Sequence, residues 1–253
     1  MSEYTRNNSM VACVVAVVII GAAITGILAA TSPGGGFSFG QREAYTTFSF
    51  RENADDPPPL VDVVISLSTG QINVTFVDDP TLVYDITVEV PNASLAERGN
   101  PVVTYDDNQV QLDYPTGSVT VRLGNASAYA LSIDLSTGNT LIDLNEYCRF
   151  RDIIVSLDTG NAEIDMSGSS MLAENATMAV SVTTGNIDMT LAAPPATGIK
   201  FTGLVAVGSV DIVTTTWNKV SDCIAQTDNY GTATLTLDAT ATVNTGSVNA
   251  YLK

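Results

Sequence analysis

The chain has 253 residues, enough for a sizeable core in one or two domains. It carries 27 Asp and Glu against 10 Lys and Arg, a net charge of −17, which repels nucleic acid and anionic lipid headgroups. It has no His, which excludes Ser-His-Asp triads, Cys-His dyads and every His-based zinc site.

A short polar head, residues 1–9, precedes an uncharged apolar run. That run is Met10 to Ala30, MVACVVAVVIIGAAITGILAA. At about 1.5 Å per residue a helix of this length spans a bilayer core, so the run predicts one transmembrane α-helix. Two competitors stay open: a cleaved secretory signal, and a pilin-type leader whose helix becomes the stem of a filament. Arg6 in the head and an uncharged far flank place the head in the cytoplasm and the bulk of the chain outside. Four Asn-x-Ser/Thr triplets agree with that side as glycosylation candidates: Asn73, Asn92, Asn125 and Asn175. The expected localisation is a single-pass cell-membrane protein with its C-terminal domain extracytoplasmic.

Residues 31–59 read as a Gly/Ser/Pro tether with a first strand near Tyr45 to Arg51. From Leu60 to Lys253 the chain becomes repetitive. Copies of a motif with Thr-Gly, or its equivalent Val207-Gly208, between alternating segments are centred on Gly70, Gly117, Gly138, Gly160, Gly185, Gly208 and Gly246. From Gly117 to Gly208 the intervals are 21, 22, 25 and 23 residues, and Gly231 suggests a degenerate further copy.

Residues two, four and six places after the Gly are mostly apolar, as in Ile187, Met189 and Leu191. Apolar residues also recur three and five places before it, as in Leu157 and Val155. Each arm is therefore a half-buried strand. The step from three before to two after is odd, so both arms feed one core only if the chain bends at the Gly, which reaches positive φ freely. A unit of this size cannot bury its apolar face alone, and stacking makes a continuous core. The expected fold is all-β, a repetitive β-solenoid. A β-sandwich of hairpins is the alternative. Residues 71–116 and 213–229, which break the period, are expected to cap the ends.

The segments SLSTGQINV, PTGSVTVRL to LSTGNTLIDL, and SLDTGNAEI through VTTGNIDM resemble the putative-adhesin, or toast-rack, β-solenoid domains of archaeal and bacterial envelope proteins. The resemblance spans about Val61 to Lys253. It implies a membrane-tethered envelope domain with no catalytic residues.

The expected function is a cell-surface structural or adhesion module with a protein or glycan partner, no nucleic acid and no cofactor. Other readings stay open. One is a carbohydrate-active enzyme using two carboxylates from among Asp134, Asp143, Glu163, Asp165, Asp188 and Asp211. These fall at alternating polar positions, as an outward acidic ladder would. Another is cation binding by that ladder. Asp78-Asp79 and Asp106-Asp107 read as turn residues. Cys148 and Cys223 either pair or stay free thiols.

Overall fold

The computed structural model describes residues 44–253 and the short strand Val17–Ile19. The head, the tether up to residue 43 and the expected helix over 10–30 lie outside the described residues, Val17–Ile19 excepted. Those three residues (β1) run antiparallel to Thr47–Ser49.

Seven long strands carry the Thr-Gly motifs: β3 (Leu60–Phe76), β6 (Gln109–Leu123), β7 (Ala128–Leu144), β8 (Arg149–Met166), β9 (Met171–Leu191), β10 (Thr197–Thr214) and β13 (Leu235–Leu252). They form one parallel ladder in the order β6-β3-β7-β8-β9-β13-β10. Parallel pairing rules out a chain of hairpins, so the architecture is the solenoid and not the sandwich.

The register is set at the corners. Gly117, Gly70, Gly138, Gly160, Gly185, Gly246 and Gly208 pair in that order, coil upon coil. Six of the seven have φ between 139° and 153°; Gly117, at the end of the ladder, does not have positive φ. Gly160 shows why no side chain is tolerated. A Cβ there would lie 1.6 Å from the carbonyl oxygen of Gly138 in the neighbouring coil.

The bend brings both arms to one interior. In β8, Ile153, Val155 and Leu157 before the corner and Ala162, Ile164 and Met166 after it are all buried. Each fully buried side chain of Val or Leu size contributes about 1.5–3 kcal/mol. The same columns continue through every coil of the ladder except β10, where Val205 and Val210 are only partly buried.

The coils do not stack in chain order. β3 lies between β6 and β7, and β13 lies between β9 and β10. Gly231 is not a further copy: it sits in a turn outside any strand, and a Cβ there would meet nothing within 4 Å.

The expected caps are present. β2 (Tyr45–Asn53) pairs with β4 (Leu82–Pro91), which runs antiparallel to the second arm of β6. The helix α1 (Asn92–Arg98) follows, and β5 (Val103–Asp106) pairs with the first arm of β6. The strand expected near Tyr45 to Arg51 is β2. At the other end β11 (Asn218–Ser221) and β12 (Ile224–Gln226) pair, and β12 borders Lys200–Thr202 of β10. Tyr129 of β7 ties a second coil and a cap strand to its own: its hydroxyl donates to the carbonyl of Val83 in β4 at 2.8 Å and its ring meets Phe76 of β3 edge-on at 5.7 Å.

Candidate functional site on the outer faces of the ladder

Side chains that alternate with the core residues form straight columns on the outside, one residue per coil, about 4.8 Å apart. The column just after the corner glycines contains Gln71, Asn139, Asn161, Asn186 and Ser247. Its members are hydrogen-bonded in series. Asn161 donates from Nδ2 to Asn139 Oδ1 at 3.2 Å, Asn186 donates to Asn161 at 3.1 Å, and the Ser247 hydroxyl donates to Asn186 at 2.7 Å. In the sequence, Asn139, Asn161 and Asn186 each follow a corner Gly and suit a turn. The shared register turns them into an amide ladder, for which their identical offset from Gly was the available signal.

Two positions further on stand Asn73, Leu141, Glu163, Asp188, Asn249 and Asp211. Glu163 is directly opposite Asp188, and in the next column Asp143 is opposite Asp165. Asn249 separates Asp188 from Asp211 and donates to Asp188 Oδ1 at 2.7 Å. Asp143 Oδ2 accepts from the Thr75 hydroxyl at 3.4 Å. Asp134 lies on the other arm between Ser66 and Ser156. The six acids named above are thus spread over two faces, none of them buried, and only the pairs Glu163–Asp188 and Asp143–Asp165 are direct neighbours. Among the described residues no three carboxylates or thiols converge where they could hold a metal ion, so the cation-binding alternative gains no specific site there.

A shallow depression of about 450 Å³ lies over this face, lined by Gln71, Asn139, Asn161, Asn186, Glu163 and Asp188 among others. A second, of about 460 Å³, lies beside α1 between Arg98, Asn100, Asp113 and Tyr114. The first has the composition of a polar recognition surface: amides that both donate and accept, with carboxylates as further acceptors.

The four sequon asparagines lie on different elements. Asn73 sits on the outer face of β3, where its Oδ1 accepts from Gln71 Nε2 at 3.3 Å. Asn92 begins α1 and accepts from the Thr46 hydroxyl at 2.8 Å. Asn125 donates its Nδ2 to Asp78 at 2.8 Å, while its Oδ1 is buried without a partner. Asn175 accepts from the Thr236 amide at 3.0 Å. Cys148 and Cys223 are unpaired, and burial pushes the Cys148 thiol well above the usual range. Asp79 is a turn residue as expected. It accepts from the Thr81 hydroxyl at 2.9 Å and the Thr81 amide at 3.0 Å, which holds its carboxyl below the usual carboxylate range.

No protein-family model and no curated protein matches the sequence. Solved structures do. A putative cell adhesion protein from Clostridium sporogenes is 14% identical and superposes with a TM-score of 0.66, covering 84% of this chain and 100% of that one. The fold is the toast-rack β-solenoid. A putative adhesin from Bacteroides fragilis covers 82% of this chain and 97% of its own at 9% identity, with a TM-score of 0.27. One from Parabacteroides distasonis covers 83% and 98% at 10% identity, with a TM-score of 0.23. At these identities a toast-rack likeness shows fold alone.

Proposed function

We propose that this chain is a cell-surface adhesion or interaction module, without enzymatic activity, anchored in the cell membrane by a helix over residues 10–30 and projecting an extracytoplasmic toast-rack domain. The observation that carries the reading is the outer face itself. It is broad, rigid and lined by repeated amides and carboxylates, which suits recognition of an extended polar partner such as a glycan or protein. The acids do not form a flanking pair across a cleft, as a glycoside hydrolase requires. The name of the Clostridium protein supports adhesion as the kind of role.

Membrane anchoring is tested by fractionating cells that express the whole chain, with protease added to intact cells. The reading requires recovery in the membrane fraction and loss of the domain to external protease. In that arrangement Val17–Ile19 belong to the helix and not to the pairing with Thr47–Ser49. Recovery in a carbonate-washed soluble fraction would sink the anchor. For the partner, a glycan and envelope-protein array probed with the chain should give signals that weaken when Asn161 and Asn186 are replaced by Asp. Array signals unchanged by those substitutions would move the binding face elsewhere.

A further inference from the structure

The two ends of the ladder differ. At the β6 end both arms are covered, one by β4 and one by β5. At the β10 end, β12 pairs only with Lys200–Thr202, and the Gly203 amide donates to the Cys223 carbonyl. From Leu204 to Thr214 no strand among the described residues borders the outer edge of β10. Exposed edges are normally blunted by Lys, Pro or a bulge. This edge has none of these, and Leu204, Val207 and Val213 are 49%, 65% and 46% exposed. Inside the edge, Val205 and Val210 are half-covered, whereas Leu157 and Ala162 at the same positions of β8 are 2% and 0% exposed.

The edge is also self-complementary. Its inward positions are Gly203 and Val205 before the corner, and Val210 and Ile212 after it. This pattern reads the same in both directions about the midpoint between Val207 and Gly208. In an antiparallel pair, residues directly opposite share a face. Two β10 edges paired about that midpoint therefore set Val205 against Val210 of the second copy. Inward meets inward at every step. On the outside, Leu204 falls opposite Asp211.

Charge permits this contact despite the net −17 of each chain. Asp211 is the one ionisable residue between Gly203 and Thr214. The pairing keeps the two Asp211 side chains seven residues apart along the bent strand, at most roughly 23 Å and still beyond the Debye length of about 8 Å at physiological salt. A two-fold contact of this kind uses one patch twice and closes on itself.

We propose that two copies of this chain join at the β10 end, by antiparallel pairing of Leu204–Asp211 about a two-fold axis between Val207 and Gly208. The dimer continues the ladder from one copy into the next and covers the open end of both interiors.

The test is the mass of the whole chain in mild detergent by light scattering, for four proteins. The wild type is expected as two chains per particle at micromolar concentration. Leu204→Glu places a second carboxylate opposite each Asp211 and is expected to weaken the dimer roughly 100-fold. Leu204→Lys, facing Asp211, stays dimeric. Leu204→Glu with Asp211→Lys restores the dimer, since both charges are swapped. Leu204 and Asp211 are exposed, so an unchanged far-ultraviolet circular dichroism spectrum is expected throughout. A monomeric wild type overturns the proposal. So does a Leu204→Glu protein that remains dimeric, which places the association elsewhere, or a folded double variant that remains monomeric, which refutes this pairing.

Discussion

Replacing Gly160 by Ala tests the corner geometry most directly. Two separate costs meet at this residue. The backbone has φ of 142°, where an L side chain is strained, and such strain costs about 1–3 kcal/mol. The new Cβ would also sit 1.6 Å from the Gly138 carbonyl oxygen, which is backbone and cannot turn aside. Forcing coils apart to admit a methyl resembles overpacking, typically another 1–3 kcal/mol. The expected loss is therefore about 2–6 kcal/mol, a large share of the roughly 5–15 kcal/mol typical of a folded domain. Two other glycines separate the contributions. At Gly99, φ is 78° but nothing lies within 4 Å of a Cβ, so Gly99→Ala carries the conformational cost alone. At Gly168 the nearest heavy atom is 3.7 Å away and φ is not positive, so Gly168→Ala is expected to be neutral or stabilising by about 0.4–1 kcal/mol. Urea denaturation followed by circular dichroism measures all three. Equal losses for Gly160→Ala and Gly99→Ala would refute the claim that close coil contact dictates Gly at the corners.

Three further outcomes follow from named residues. Thr140 takes a core position in β7, and its buried Oγ1 has no hydrogen-bond partner, so Thr140→Val is expected to stabilise by about 1–2 kcal/mol, seen as a higher Tm. Burial pushes Tyr129 and Tyr84 up to about 12. The folded state holds these protons more tightly than the unfolded state, so their contribution is complete below pH 10 and is lost as pH rises toward 12. Urea midpoints should fall over that window, and Tyr129→Phe should make the fall shallower; a flat profile between pH 10 and 12 would contradict it. Glu163 faces Asp188 across adjacent coils, so Glu163→Gln should raise Tm at low salt, with the gain shrinking in molar NaCl as the repulsion is screened. A gain that does not depend on salt would show that this repulsion is not its source.

Much of the coil was legible in the sequence. Alternation in VSLDTGNAEIDM fixes which side chains enter the core, and the odd step across Gly160 demands a bend, because a period-two strand cannot otherwise bury Leu157 and Ala162 together. Asp143, Glu163 and Asp165 fall outside for the same reason. The amide ladder was half legible: the shared offset of Asn139, Asn161 and Asn186 from Gly was visible, but their hydrogen bonds exist only between stacked coils.

Periodicity by itself thus determined the shape of each unit, its corner and its two faces. It could not determine which unit sits beside which. Every coil carries the same glycine in the same phase, so β10 would match β9 as well locally as β13 does. Only the tertiary structure inserts β13 between them and places β3 inside β6. Stacking order depends on loop lengths and on which end can be capped, and those are non-local properties of the assembled chain.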